Sequence, residues 1–221
     1  PDGLVECEID EIGEICISNP GVWAGNTYTE EDKNKDLYYN ENFLRTGDLG
    51  RIDTDEYLWI TGRAKDLIIR GGHNIDPALI EESLLGNEAV AFAGAIGQPD
   101  IKTGEMPCVY VELVGGASVT PAELQKYCEE NVPERAAHPK YVEIMDELPK
   151  TAVGKIFKPD LRKRAITRIF DKALEDSGLV ARVDKVVDDK KKGLVAKITA
   201  QDSDEAVDAA IGGFVGTWER M

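Results

Sequence analysis

The hydrophobic period of this chain changes after Ile75, and that change limits its fold more than any other feature. Before it, apolar and polar residues alternate. Val5, Cys7 and Ile9, then Ile15 and Ile17, have the period of a half-buried strand. Gly47-Asp48 and Asp53-Thr54-Asp55-Glu56 punctuate further short strands, among them residues 57–60. After it, helix signals appear. Asp76 can cap a helix with Pro77 in its first turn and Gly86 just past its end. Thr120-Pro121-Ala122-Glu123 is a capping box that opens a helix to about Asn131. Residues 89–96, 108–114 and 141–145 read as strands between these helices. The class is therefore α+β: a β-rich subdomain over 1–64, then a small domain of helices on a sheet over 65–165.

Residues 166–221 read as an αββα extension with its own core. A helix is expected over 159–177, then strands over 179–187 and 194–200 joined by an acidic-basic turn ending in Gly193. A last helix follows Asp202, with Glu205 in the box position. Val207, Ile211, Phe214, Val215 and Trp218 form its apolar stripe. Gly212 and Gly213 each weaken such a helix by roughly 1 kcal/mol.

The formal charge of the 221 residues is 26 − 42 = −16. That excludes a general nucleic-acid groove, which needs a basic surface, and disfavours anionic membranes. No apolar run approaches the ~20 residues that span a bilayer. Cys7, Cys16, Cys108 and Cys128 have no CxxC spacing, and only His73 and His138 accompany them, so no zinc site is expected. Four such thiols suit a reducing cytoplasm and are expected buried and inert. Neither a GxSxG nucleophile elbow nor a phosphate-binding GxxxxGK[ST] loop occurs.

Three glycine-bounded segments then stand out: Arg45-Thr46-Gly47-Asp48-Leu49-Gly50, Gly62-Arg63-Ala64-Lys65-Asp66 running on to Arg70-Gly71-Gly72-His73-Asn74-Ile75, and Leu148-Pro149-Lys150-Thr151-Ala152-Val153-Gly154-Lys155-Ile156. Their order and spacing resemble the C-terminal third of acyl-CoA synthetases, in the adenylate-forming, AMP-binding superfamily. The resemblance implies a role for each. Asp48 would hold the ribose hydroxyls of ATP. The bland alternative is an Asx turn. Arg63 would contact the nucleotide, against the alternative of a surface ion pair. Lys65-Asp66 would be the hinge between large and small domains. Gly71-Gly72-His73 would line the tunnel for the pantetheine of CoA, with His73 a polar wall residue and no base. Lys155 would stabilise the negative charge that gathers as a carboxylate meets the α-phosphate. Lys150, Lys158, Arg162, Lys163 and Arg164 accompany it as a local positive cluster, of which the arginines past Lys158 read as a solvated helix face.

What the resemblance implies is an acid–thiol ligase. ATP, with its Mg²⁺, and a carboxylic acid, expected to be a fatty acid, give an acyl adenylate and pyrophosphate; CoA then displaces AMP. The family's phosphate loop and acid pocket lie upstream of the matching region. The chain is therefore expected to be a piece of a larger cytoplasmic enzyme and not to complete the reaction alone, and its oligomeric state is left open. A carrier-protein ligase of the same superfamily is one alternative. A non-catalytic module that docks a partner through its tail is another.

Overall fold

Gly13–Ile17 (β1), Tyr38–Tyr39 (β2), Phe43–Ile52 (β3) and Leu58–Arg63 (β4) form an antiparallel sheet centred on β3, with a one-turn helix, Glu31–Asn34 (α1), before β2. A 3-10 turn, Ala64–Asp66, follows β4. These elements belong to the first of two compact units, residues 1–67 and 68–221, in a computed structural model that describes residues 5–22, 27–29, 31–39 and 43–221. Two expectations change here. The alternation of Val5, Cys7 and Ile9 yields no strand: residues 5–12 are irregular and exposed, and so is the Cys7 thiol expected to be buried. Strand period needs a partner strand to become a strand, and among the described residues none pairs with this segment. Gly47-Asp48, read as a break between strands, lies inside β3. Residues 1–4 of the expected β-rich start lie outside the described residues.

The second unit begins with a hairpin, Ile68–Arg70 (β5) and His73–Ile75 (β6). Next come helix Pro77–Leu85 (α2), strands Val90–Asp100 (β7) and Gly104–Leu113 (β8), and helix Pro121–Asn131 (α3). Strand Tyr141–Met145 (β9) and helix Lys158–Asp176 (α4) complete the small domain's share. The capping signals place the helix starts: Asp76 accepts from Ala78 N at 2.9 Å, and Thr120 and Glu123 close a reciprocal capping box. β7 and β8 run further toward their shared turn than the apolar pattern suggests, because Gln98, Pro99 and Asp100 pair with Met106, Glu105 and Gly104. β8 is flanked by β7 along its length, by β5 at its start and by β9 in parallel at its end.

Period-two alternation along β8 divides its side chains between two layers. Val109 and Val111 join Ala93, Ala95 and the α2–α3 residues Ile80, Leu84, Leu124 and Cys128 in one core. Cys108 and Tyr110 join Ile96, Leu148, Leu161 and Ala165 in another, which places α4 on the opposite face. Leu161 is 1% exposed, so Leu161→Ala should cost about 2–5 kcal/mol in urea unfolding. A cost below roughly 1 kcal/mol would mean that α4 is not fastened to this face.

The expected division at 165/166 falls inside α4, whose second half builds a third core. Ile166, Phe170 and Leu174 pack with Val183, Ala196, Ile198, Val207 and Ile211. Those come from Ala181–Asp189 (β10), Gly193–Ala200 (β11) and Asp204–Ile211 (α5). The last helix starts one residue later than expected, with Ser203 as cap, so Glu205 is not in the box position. The apolar stripe is also broken: α5 stops at Gly212, and Thr217–Arg220 becomes a strand (β12) parallel to β11. The glycine pair Gly212-Gly213 ends the helix instead of merely weakening it. Among the described residues no helix is long and apolar enough to cross a membrane.

Candidate active site

Asp48 and Arg63 occupy directly paired positions on β3 and β4. β3 bulges there: between the pairs Glu14↔Leu49 and Cys16↔Arg45, three β3 residues face Ile15 alone. Gly47 supports the bulge with φ +73°, which a side chain would disfavour. Glu14 fastens it, accepting from Arg45 Nε at 3.0 Å and Nη2 at 2.7 Å and from Gly47 N at 3.2 Å. Thr46 Oγ1 donates to Ile15 O at 2.8 Å and accepts from Asp48 N at 3.0 Å. The result aims Asp48 at Arg63, whose Nε lies 2.8 Å from Asp48 Oδ1. Both side chains are partly open, at 32% and 52% exposure. An ion pair so exposed contributes about 0–1 kcal/mol. It is therefore cheap to open, and the carboxylate can accept a vicinal diol in its place. The ion-pair and nucleotide readings of Arg63 thus concern the same carboxylate, Asp48.

Lys65, exposed, and Asp66, half-buried, sit in the 3-10 turn that leaves β4. In the second unit Gly71 and Gly72 turn the β5–β6 hairpin with φ +56° and +87°, two consecutive left-handed residues as a tight hairpin turn requires. Gly71 N donates to Thr103 O at 2.8 Å, tying the hairpin to the β7–β8 turn. His73 is exposed beside it. Together with Arg70, Thr103, Arg135, His138 and Lys140, Gly71 and His73 line a cleft of about 810 Å³. In a chain of charge −16 this is a local cationic surface; Glu129 is the acid in its lining. Arg70 is partly committed, donating to Ala136 O at 2.6 Å, while Arg135 and Lys140 are exposed.

Lys155 closes a tight loop. Lys150 and Ile156 pair in antiparallel fashion, Thr151 N donates to Lys155 O at 2.7 Å, and Gly154 turns back with φ +80°. Each stem of the loop is held by an ion pair. Lys150 Nζ lies 2.7 Å from Glu112 Oε2, which also accepts from Leu148 N at 2.9 Å. Lys158 Nζ lies 2.9 Å from Glu81 Oε1, which also accepts from Ala95 N at 2.8 Å. The two carboxylates respond differently. The Leu148 amide and then the Lys150 ammonium hold Glu112 below its ordinary value. Desolvation pushes Glu81 up, against the opposing pull of Lys158 and the Ala95 amide. Further along the positive cluster, Lys163 pairs with Asp160 and Arg164 with Glu143. Lys155 is exposed, and among the described residues no carboxylate is paired with it.

The structure thus joins Asp48 to Arg63 in the first unit. In the second it sets the Gly71-Gly72 hairpin at the β5–β6 end of the sheet and the Lys155 loop on its α4 side, where Ile156 joins the Tyr110 core. Sequence reasoning missed the cleft residues Arg70, Arg135, His138 and Lys140 and the clamping acids Glu81 and Glu112. The spacing Arg135-x-x-His138-x-Lys140, a basic run in an acidic chain, was a usable signal for the first group. Among the described residues no group of three or more His, Cys, Asp or Glu gathers to hold a metal.

Residues 79–155 match the family model of the AMP-binding enzyme C-terminal domain. The chain is similar to the marinolic acid–CoA ligase of Pseudoalteromonas sp. (strain SANK 73390), with 41% identity over 208 residues, covering 93% of this chain and 31% of that protein. A 2-succinylbenzoate–CoA ligase of Bacillus cereus is 40% identical over 162 residues, covering 73% and 32%. Among solved structures, O-succinylbenzoate coenzyme A synthetase of Bacillus subtilis with ATP and magnesium matches with TM-score 0.63 and 37% identity, covering 73% of this chain and 32% of that one. ATP-bound MatB of Rhodopseudomonas palustris matches with TM-score 0.67 and 32% identity, covering the same shares. The chain spans about a third of the length of the curated relatives it matches. These matches resemble the C-terminal part of ATP-dependent acyl-CoA ligases and do not favour a non-catalytic docking module.

Proposed function

We propose, from the match of residues 79–155 to the AMP-binding enzyme C-terminal domain model, that this chain is the C-terminal part of an ATP-dependent acyl-CoA synthetase. Its whole reaction would be carboxylic acid, ATP and CoA to acyl-CoA, AMP and pyrophosphate, through an acyl adenylate. The relatives' names specify succinylbenzoate and marinolic acid, so the class proposed is carboxylic acid, of which the fatty acid expected from the sequence is one member. A cytoplasmic setting goes with ATP and CoA as substrates.

The observation that carries the reading is the Lys155 loop: an exposed, uncompensated ammonium on a tight turn whose stems are fixed by Glu112 and Glu81. A loop fixed before the reaction sets where the Lys155 side chain starts, so its ammonium can meet charge that builds on an α-phosphate with little backbone reorganisation. Asp48 would accept the ribose hydroxyls, with Arg63 releasing it and turning to the nucleotide. Lys65 and Asp66 would be the joint about which the small domain turns between half-reactions. The division of the chain after Leu67, close behind that turn, supports this. The Gly71-Gly72 hairpin would present bare backbone to pantetheine. The adjoining cationic cleft suits the phosphates at the far end of CoA, which Arg135 and Lys140 can bind by charge-assisted hydrogen bonds.

The test offers the complete enzyme a preformed acyl adenylate with CoA and, in parallel, with carrier protein. Thioester on CoA alone is the expected result; transfer to the carrier protein alone would replace this reading by that of a carrier-protein ligase. The double variant Arg135→Ala/Lys140→Ala should raise KM for CoA about tenfold or more, the scale for losing two charged contacts, and leave adenylation unchanged. An unchanged KM for CoA would remove the cleft from the reading.

A further inference from the structure

The Gly71-Gly72 hairpin hangs on one turn, and the C-terminal extension leans on that same turn. Gly71 N donates to Thr103 O at 2.8 Å, and Arg70 pairs with Gly104. The turn is internally stiff. Asp100 Oδ1 accepts from Lys102 N at 3.0 Å and from Thr103 N and Oγ1 at 2.8 Å each. Desolvation raises the Asp100 carboxyl, but these bonds together hold it below its ordinary value. From the other side come residues 213–216. A Cβ at Gly213 would lie 3.5 Å from Ile101 Cγ2, and a Cβ at Gly104 would lie 3.7 Å from Val215 Cγ2. Both are ordinary van der Waals distances, so residues 213–216 rest against the turn.

The segment that leans on the turn is itself anchored at both ends. Gly212 caps α5, whose Val207 and Ile211 are buried in the third core. Gly216, with φ +143°, packs so close to Phe170 that a Cβ there would lie 3.2 Å from its Cζ, and β12 then pairs with β11. Beside this bridge, a cavity of about 380 Å³ separates the extension from the sheet, lined among others by Gly97, Arg162, Leu194 and Val215. The contact is therefore a strut beside a gap. Ile101 and Val215 keep 58% and 57% exposure, so the contact buries little apolar area and adds little to stability. It meets the turn from which the hairpin hangs through Thr103 and Gly104.

We propose that the extension is a brace for the hairpin, and that Val215 and Ile101 act as positioning residues for thioester formation. Its effect on catalysis rests on the synthetase reading given above; its effect on the hairpin does not. The experiment uses the complete enzyme with Val215→Asp and, as a milder change, Ile101→Ala. Three rates are read: hydrogen exchange at the Gly71 amide, ATP–pyrophosphate exchange driven by the acid, and thioester formation from a preformed acyl adenylate. The brace lets go in the variants, so Gly71 exchange should quicken and thioester formation should fall roughly tenfold, while pyrophosphate exchange stays at the wild-type rate. Wild-type exchange at Gly71 in both variants overturns the brace. Equal losses in the two half-reactions overturn its assignment to the thioester step. A wild-type enzyme that makes no CoA thioester, with Gly71 exchange still responding to Val215→Asp, keeps the brace and rejects the synthetase reading instead.

Discussion

Lys155→Ala in the complete form of the proposed synthetase is expected to slow acyl-adenylate formation by about 10²–10³-fold, the scale for removing one electrostatic stabiliser of a charged transition state. The geometry explains why a single exposed lysine can matter so much. Its loop has little freedom: Thr151 and Lys155 bond across it, Gly154 supplies the one left-handed residue, and the flanking lysines are held by acids that backbone amides also hold. Glu112 and Glu81 neutralise Lys150 and Lys158, so the cluster offers one uncompensated ammonium instead of a diffuse positive patch. Thioester formation from a preformed acyl adenylate should be largely spared, because the proposed domain rotation carries Lys155 away before the thiol attacks. Lys155→Arg keeps the charge and changes its reach, so an intermediate loss is expected if position matters as well as sign. Comparable losses in both half-reactions of Lys155→Ala would sink the assigned role.

The elements that were legible in the sequence are those whose ends carry their own chemistry. Asp76 with Pro77 and Thr120 with Glu123 announce α2 and α3, and the structure begins both helices there. The tail shows the opposite case. Val207 to Trp218 has a helical stripe, yet Gly212-Gly213 ends α5 and an open edge of β11 recruits Thr217–Arg220 as a strand. Periodicity cannot report which edge is vacant, since that depends on residues far away in sequence. The same reasoning covers Val5, Cys7 and Ile9, which alternate without a partner. In the candidate site, the glycine-bounded segments were visible because glycine marks unusual backbone. The clamp was not, because Glu81 and Glu112 precede their lysine partners by dozens of residues and look like ordinary surface acids until the sheet brings them together.

Lys65→Pro should separate the two half-reactions, keeping adenylation and costing thioester formation about tenfold to hundredfold. The argument is local. Lys65 is the middle residue of the 3-10 turn Ala64–Asp66. Proline fixes φ at 65 near −65°, a value such a turn already uses. It also restricts Ala64, disfavouring helical backbone there. A joint that must take two settings is thereby left with a narrowed choice. Backbone strain of about 1–3 kcal/mol in one setting translates to roughly tenfold to hundredfold in the step that needs it. Adenylation meets ATP and acid before any turn of the joint is required, so the loss should fall on the later step. A thermal midpoint near that of the wild type is the control, since a misplaced proline can destabilise by about 3 kcal/mol. A stably folded Lys65→Pro enzyme that runs both half-reactions at wild-type rates would move the joint elsewhere in the chain.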